Sequence, residues 1–213
     1  MKIFAVLILT VTAWAQVADN ANKSYKTKEG RDKIAATLDD PHRDGKQKPA
    51  ELVAAMQIKP GMTVADIGTG TGYMLPFLSE AVGPSGRVFG EDIQTDFLDR
   101  AKTKHIPNVT LILGTETDPK LPQNSVDIAL ALDVYHHFDY PDKMLAAIRD
   151  ALKPGAHLVV VDFYKSASPT PGHIRAERDE VASEIERNGF HLLSKRDHTP
   201  KSQYILTFEK TKQ

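Results

Sequence analysis

Cysteine is absent from the 213-residue chain, and aromatic side chains make up only 7% of it. Without cysteine the protein has no disulfide framework, no zinc–thiolate site and no thiol nucleophile. An excess of charge is also absent, because 27 Lys and Arg residues face 28 Asp and Glu residues. The chain therefore lacks the positive field that holds nucleic acid or an anionic membrane surface, and we expect neither partner. Its length favours one domain.

The N-terminus carries a short apolar run. The stretch MKIFAVLILTVTAWA has one Lys before the run Ile3–Val11, and small residues at Ala13 and Ala15. This is typical of a secretory signal peptide cleaved after Ala15. A membrane anchor is one alternative, but it needs about 20 apolar residues, about twice the length of this run. A buried N-terminal strand of a cytosolic protein is the other alternative. We predict a signal peptide over residues 1–15, an exported, periplasmic or secreted product, and no stable membrane span after cleavage.

The rest of the chain divides into a polar segment and a patterned one. Residues 16–46 are rich in Lys and Asp and include the turn cluster DDPHRDGK, which predicts a surface arm or lid. Residues 47–213 form the predicted main domain, in which apolar runs alternate with amphipathic stretches. This alternation predicts an α/β fold with a parallel sheet covered by helices on both sides. The predicted strands are Thr63–Ile67, Arg87–Glu91, Val109–Leu113, Val126–Leu132, His157–Asp162, His191–Arg196 and Tyr204–Phe208.

A glycine-rich turn follows the first predicted strand. In VADIGTGTGY, glycines stand at 68, 70 and 72, two residues after Asp66. Glycines allow a close backbone approach to a ligand, and the helix that follows offers free N–H groups to an anion. The spacing G-x-G-x-G differs from the dinucleotide pattern G-x-G-x-x-G, which counts against NAD. Because Asp66 suits a cationic amine, the pattern favours a zwitterionic ligand.

A second acid follows the second predicted strand. Asp92 lies directly after Arg87–Glu91, the position from which such folds direct a carboxylate to two ribose hydroxyls. The alternative is an acid at the N-terminus of the following helix, Asp96–Lys104.

Four blocks of sequence resemble the class I S-adenosylmethionine-dependent methyltransferases, and most closely the small-molecule branch that includes the ubiquinone and menaquinone biosynthesis enzymes. The blocks are residues 58–72 around DIGTGTG, GEDIQTDFLDRAK from Gly90, GTETDPKLPQNSVDIALALDVYHHF from Gly114, and ALKPGAHLVVVDF from Ala151. The resemblance covers about residues 49–208. It implies a doubly wound, mostly parallel, seven-stranded Rossmann-like sheet with an antiparallel last strand, and S-adenosylmethionine as cofactor.

The resemblance also implies roles for individual residues. Asp66 would bind the methionine ammonium, Asp92 the ribose hydroxyls, and Ile93 the adenine face. The remaining cofactor contacts would come from Gly68, Thr69, Gly70, Gly72, Thr115, Glu116 and Asp133. The family usually has Asp or Asn where this chain has Thr115, so here the bond to the adenine amine would come from Thr115 or Glu116.

The stretch that follows the fourth strand holds the candidate catalytic residues, namely Asp133, Tyr135, His136 and His137. A base is needed here only if the acceptor must lose a proton. The alternative for the His pair is capping or packing at the start of the next helix, and for Tyr135 it is a pocket wall. We predict no metal site, because adjacent His side chains are expected to diverge and Asp133 with His137 supplies at most two ligands.

The leading hypothesis is a methyltransferase that acts on a small-molecule acceptor. A non-catalytic nucleoside-binding domain on the same fold is one alternative, and an NAD-dependent oxidoreductase is a weaker one. The sequence does not determine the acceptor or the oligomeric state.

Overall fold

The computed structural model describes residues 17–168 and 170–211. The predicted signal peptide, residues 1–15, lies outside these ranges, so cleavage and export stay predictions. Within the described ranges, every helix is too short or too polar to cross a membrane.

Helices and strands alternate along the chain as the sequence predicts. The strands are β1 Thr63–Ile67, β2 Arg87–Asp92, β3 Val109–Leu113, β4 Val126–Leu132, β5 Leu152–Phe163, β6 Phe190–Thr199 and β7 Gln203–Lys210. The α-helices are α1 Asp19–Asn22, α2 Lys28–Leu38, α3 Arg43–Gln47, α4 Pro49–Met56, α5 Leu75–Val82, α6 Thr95–Lys102, α7 Pro141–Ala151 and α8 Arg178–Arg187. Short 3₁₀ helices span Lys23–Lys26, Tyr135–His137 and Lys165–Ala167.

The seven strands form one sheet in the order β3-β2-β1-β4-β5-β7-β6. Neighbouring strands from β3 to β5 are parallel, and β7 is antiparallel to both β5 and β6. The predicted doubly wound sheet with an antiparallel last strand is confirmed. Strand order reverses between β1 and β4, and in open α/β sheets the ligand crevice lies beyond the carboxyl ends of the strands at such a point.

Each face of the sheet is covered by a separate apolar cluster. One cluster joins the sheet to α4 and α5 through residues such as Leu52 and Leu78. The other joins it to α7 and α8 through Leu145, Ile148 and Ile185. Because β4 is buried along nearly its whole length, it has an almost continuous apolar sequence, as expected for a central parallel strand.

The amphipathic pattern predicts helices over Tyr73–Ala81 and about Arg175–Asn188, and both begin later in the structure. Helix α5 begins at Leu75 rather than Tyr73, because the turn continues through Gly72, which has a φ of 81°. Helix α8 begins at Arg178 rather than Arg175, because Glu177 and Glu180 form a capping box that fixes its first turn.

A partly buried polar cluster holds the loop after β5 against the domain. Both Arg175 Nη atoms donate to the Glu184 carboxylate, at 3.0 and 2.6 Å. The Tyr135 hydroxyl donates to the same carboxylate at 2.6 Å. Glu184 of α8 therefore links the loop that carries Arg175 to the 3₁₀ turn after β4, because it accepts hydrogen bonds from both.

We expect Glu184→Ala to lower the free energy of unfolding by about 2–3 kcal/mol, because it leaves a guanidinium and a phenol without their acceptor in a poorly hydrated place. Glu186→Ala on the exposed side of the same helix is the matched control and is expected to change stability by less than about 0.5 kcal/mol. Urea denaturation followed by circular dichroism measures both. Equal stability of the two variants would contradict this role for Glu184.

Candidate functional site

The glycine turn between β1 and α5 adopts a conformation that other residues rarely take. Gly68, Gly70 and Gly72 have φ values of 66°, 58° and 81°. A Cβ on Gly68 would lie 2.3 Å from Val134 Cγ2, and one on Gly70 would lie 2.8 Å from Leu38 Cδ1. The turn therefore requires glycine for its dihedral angles and for the closeness of its neighbours.

Asp66 lies at the end of β1 beneath this turn. It is 3% exposed, and Thr69 Oγ1 donates to its Oδ2 at 2.6 Å. Burial raises the pKa of Asp66 to about 7, although the bond from Thr69 and the charge of Arg43 lower it. Near neutral pH the Asp66 carboxyl is thus divided between its protonated and ionised forms, and a cationic partner would favour the ionised form.

Asp92 lies at the end of β2, on the next strand of the sheet. Its Oδ2 accepts from the Gly70 N–H at 2.9 Å and its Oδ1 from the Gln94 N–H at 2.8 Å. Burial raises its pKa to about 6, and these backbone bonds oppose the shift. A carboxylate has about four lone-pair sites, so Asp92 keeps acceptor capacity for a ligand.

Glu91 is a third buried acid that the sequence analysis missed. Its Oε2 accepts from the Gly68 N–H at 3.3 Å, and its Oε1 has no partner among the described residues. A Cβ on Gly114 would lie 1.8 Å from that Oε1, so glycine at 114 makes room for the carboxyl. Burial first and then the nearby Asp92 charge raise the pKa of Glu91 well above its usual range. In the sequence, the position of Glu91 at the end of an apolar strand could have identified it as a buried acid.

Asp133 follows β4 and is held by two amides. Gln203 Nε2 donates to its Oδ1 at 2.6 Å, and Gln47 Nε2 donates to its Oδ2. Burial raises the pKa of Asp133 to about 6, with a further contribution from the Asp162 charge. Asp133 therefore links the central sheet to α3 and to β7, and neither glutamine stands out in the sequence.

The N-terminal helices pack across the carboxyl ends of these strands. Leu38 of α2 contacts Gly70, and the Arg43 guanidinium lies 4.1 Å from the centroid of the Tyr73 ring. Arg31 Nε donates to Asp96 Oδ2 at 2.7 Å. The polar segment is thus a helical cover with specific contacts to the domain.

The candidate adenine contacts lie at the rim of the crevice. Ile93 is 42% exposed, an unusual degree for a large apolar side chain that follows a buried strand. Thr115 and Glu116 are also exposed, and Thr115 Oγ1 donates to the Asp118 carbonyl at 3.2 Å. All three residues lie at the carboxyl ends of β2 and β3.

The His pair lies at the carboxyl end of β4, and a third His joins it. His136 Nδ1 donates to Asp162 Oδ1 at 2.7 Å, and His137 Nδ1 donates to Asn22 Oδ1 at 2.8 Å. His173, from the loop after β5, places its ring centroid 4.9 Å from that of His136 and 5.5 Å from that of His137. The ring centroids of the adjacent His136 and His137 are only 4.1 Å apart, so the prediction that these side chains diverge is wrong.

The protonation of these rings differs. Burial lowers the pKa of His136, but the Asp162 carboxylate outweighs burial and the net shift is upward. Burial, together with the neighbouring rings, lowers the pKa of His137 well below its usual value. Burial also lowers the pKa of His173. At neutral pH His137 and His173 are therefore neutral.

Tyr135, another predicted catalytic residue, is almost fully buried. Its side chain is 1% exposed in the core cluster under α7 and α8, and its hydroxyl donates to Glu184. The Tyr135 hydroxyl therefore shares its acceptor with Arg175.

Comparisons with known proteins agree with this geometry. The profile of the family described as "Methyltransferase domain" matches residues 65–160. The ubiquinone/menaquinone biosynthesis C-methyltransferase UbiE of Burkholderia cenocepacia is 32% identical over 124 residues, which is 56% of this chain and 51% of that protein. An uncharacterised 37.1 kDa protein in transposon TN4556 of Streptomyces fradiae is 33% identical over 144 residues, 65% of this chain and 42% of that protein. This chain therefore spans about half the length of the curated relatives it matches.

A solved structure covers more of the chain. The crystal structure of a SAM-dependent methyltransferase from Aquifex aeolicus superimposes with a TM-score of 0.79 at 28% identity, over 84% of this chain and 98% of that one. In sequence and in fold the chain is similar to the class I S-adenosylmethionine-dependent methyltransferases. The cofactor of this methyltransferase family is S-adenosylmethionine, and the comparisons give no support to an NAD-dependent oxidoreductase or to a binding-only domain.

The crevice of this methyltransferase fits S-adenosylmethionine chemically. A buried carboxylate at Asp66 matches an ammonium group, and a second at Asp92 matches a vicinal diol. Thr71 Oγ1 and Glu91 Oε1 are buried polar atoms without protein partners beside the turn. The donor and acceptor groups suit a ligand with an amino-acid end and a sugar.

We expect Gly68→Ala to destabilise the methyltransferase fold by about 2–4 kcal/mol, from the left-handed dihedral angle and the overlap with Val134. In the double variant Gly68→Ala/Val134→Ala the loss should be smaller than the sum of the single losses, because the overlap is relieved. Gly45→Ala, in α3 with nothing within 4 Å of its Cβ position, is the matched control and should be neutral or slightly stabilising. Denaturant unfolding tests this, and a wild-type midpoint for Gly68→Ala would contradict it.

Proposed function

We propose that this protein is an enzyme that transfers a methyl group from S-adenosylmethionine to a small-molecule acceptor. One observation carries the proposal: Asp66 and Asp92, both buried, end neighbouring parallel strands on either side of a glycine turn. The name of the UbiE relatives describes quinone C-methyltransferases, and this likeness supports a small-molecule acceptor here.

The donor would be held along the crevice by residues with distinct tasks. In this proposal Asp66 binds the ammonium group and Asp92 the two ribose hydroxyls. The exposed side chain of Ile93 supports the adenine ring, and Thr115 or Glu116 accepts from the adenine amine. Backbone groups of residues 68–72 approach the methionine and ribose, because the glycines leave that side free of Cβ atoms.

Arg43 of α3 is proposed to bind the carboxylate of the methionine moiety. Burial raises the pKa of both Asp66 and Asp133, and the charge of Arg43 partly opposes this rise at each acid, so the Arg43 charge acts on this part of the crevice. A guanidinium presents a fork of N–H donors that matches a carboxylate. Stacking on Tyr73, at 4.1 Å, fixes the orientation of that fork.

When bound, S-adenosylmethionine supplies an electrophilic methyl group on a sulfonium. The protein's contribution is to hold donor and acceptor in line and to exclude water. Asp133, fixed by Gln47 and Gln203, is proposed to border the methionine end. His136 and His137 are proposed to line the acceptor side, next to a cavity of about 300 Å³ that His173 and Arg175 help to form.

The N-terminal cover is proposed to act as a lid. Leu38 contacts the glycine turn, Gln47 binds Asp133, and Tyr25 packs edge-on against His137 with ring centroids 4.8 Å apart. These contacts close the crevice from one side, so ligand entry requires the cover to move. Within α2 only Ala35 is buried, so this helix adds little buried surface that would oppose the movement.

Calorimetric titration with S-adenosylmethionine, S-adenosylhomocysteine and NAD tests the proposal. We expect the first two to bind and NAD not to bind. Asp66→Asn and Asp92→Asn should each weaken binding at least tenfold, since each removes a charge-assisted bond (about 1.4 kcal/mol per factor of ten). Asp99→Asn on the exposed face of α6 is the matched control and should bind normally.

Turnover distinguishes an enzyme from a binder. Methyl-labelled donor incubated with the protein and a metabolite extract should give a labelled small molecule. Donor binding without any transfer would overturn the enzymatic proposal, and tight NAD binding without donor binding would overturn the site assignment.

Binding should also depend on pH. The raised pKa of Asp66, about 7, means that the free protein keeps this proton up to near neutrality, whereas the ammonium requires the carboxylate. Affinity should therefore rise from pH 5.5 to about 7 and then level off, as long as the ligand ammonium stays protonated, below about pH 8. In Asp66→Asn the rise should be smaller, and the part that remains should follow Asp92, whose pKa burial raises to about 6. A flat profile for the wild-type protein would contradict the role of Asp66.

The raised pKa of Asp66 also affects the stability of the fold, which falls as pH rises, whereas ligand affinity increases. A carboxyl whose folded pKa lies above its unfolded value stabilises the fold below the unfolded pKa, and this contribution is lost as pH rises through the folded pKa. For Asp66 the free energy of unfolding falls between about pH 4 and pH 7. In this range Asp66 is ionised in the unfolded chain but still protonated in the folded protein.

A further inference from the structure

Three imidazoles from two distant parts of the chain meet beside the crevice. His136 and His137 come from the 3₁₀ turn after β4, and His173 comes from the loop after β5. One ring nitrogen from each lies within 4.8 Å of the other two. We propose that His136, His137 and His173 form a binding site for a divalent transition-metal ion of the Zn²⁺ class.

Hydrogen bonds outside the cluster orient two of the rings for this purpose. His136 Nδ1–H donates to the buried Asp162 carboxylate, and His137 Nδ1–H donates to the Asn22 amide oxygen. The lone pair of each ring is then on Nε2. Metal-binding imidazoles are usually held in this way, by a carboxylate or amide oxygen on the other ring nitrogen.

The distances require only small adjustments. Three nitrogens at about 2.0–2.1 Å from a tetrahedral zinc ion lie about 3.4 Å from one another, so the rings would approach by about 1.4 Å at most. His173 is half-buried on a surface loop, and rotation of its side chain supplies most of this movement. With three protein ligands, a fourth position remains for water or another oxygen. Tyr25 Oη lies 3.5 Å from His137 Nε2, the proposed ligand atom of that ring.

Charge around the site permits a cation. Asp162 contributes a negative charge in contact with His136. Arg175, from the same loop as His173, carries an opposing charge, and its bidentate pair with Glu184 compensates that charge. The cavity of about 300 Å³ that His173 lines, between residues 17–21 and 172–175, offers a route from solvent.

The ligand set selects the class of metal. Imidazole nitrogens suit Zn²⁺, Cu²⁺, Ni²⁺ and Co²⁺, whereas Mg²⁺ and Ca²⁺ prefer oxygen ligands. The alternative is a purely structural cluster, in which the long contact from Tyr25 satisfies His137. That contact is at the limit for a hydrogen bond.

Metal titration of the full chain, without an affinity tag and after chelator treatment, tests the site. We expect one equivalent of Zn²⁺ to bind by calorimetry, and Co²⁺ to give the visible absorption of a four-coordinate nitrogen site. His173→Ala and His137→Ala should each weaken Zn²⁺ binding at least tenfold. Asp162→Asn should weaken it by about 10–100-fold, because the His136 ring loses its orienting partner.

His191→Ala, an exposed His on β6, is the matched control and should bind normally. The melting temperature of metal-free His173→Ala should equal that of the wild type, while the rise caused by Zn²⁺ should disappear, which separates lost binding from misfolding. No stoichiometric binding, or unchanged Zn²⁺ affinity in His173→Ala, would overturn the site. Competition by millimolar Mg²⁺ would overturn the assigned metal class. These readouts do not involve the methyl donor, so their failure is distinct from failure of the proposed function.

Discussion

Burial of several carboxylates at the carboxyl ends of neighbouring strands is the constraint on which the rest of the site depends. Asp66, Asp92 and Asp133 end or follow β1, β2 and β4, which are adjacent in the sheet, and Glu91 lies among them. Removal from water raises all four pKa values. The fold tolerates this because backbone N–H groups and side-chain donors surround the acids, and the glycine turn is shaped to bring two of those N–H groups to Glu91 and Asp92. Such a crevice is complementary to a ligand that brings a positive charge.

The sequence predicted the features of the fold and site that depend on local pattern. β1, β3 and β4 have the predicted bounds, because each is a short apolar run between turn residues. Asp66 and Asp92 were identified because they directly follow such runs, and the ends of parallel strands meet at one edge of the sheet. Glycine spacing together with the charge of Asp66 predicted a zwitterionic ligand, and the resemblance to a known family implied that this ligand is S-adenosylmethionine.

The parts that the sequence did not predict depend on contacts between distant segments. Gln47 and Gln203 are ordinary polar residues until β7 returns beside β5 and α3 packs over the crevice, which brings both amides to Asp133. His173 lies 36 positions after His137, in a loop whose path is fixed by the Arg175–Glu184 ion pair. Tyr135 was assigned to the site from its place in the chain, and only the position of α8 shows why its hydroxyl is in the core.

One segment connects the donor crevice with the His cluster. Asn22 and Tyr25, from the N-terminal cover, both contact His137. Burial raises the pKa of Tyr25, and the charges of Asp92 and Asp133 raise it further. A ligand that fixes His137 therefore also favours the closed position of the cover, and a ligand in the crevice favours the same position through Gln47. Because binding free energies are linked through a shared conformational equilibrium, occupation of either place would tighten the other by the same factor. The size of that factor is limited by the free energy that separates the closed and open states of the cover.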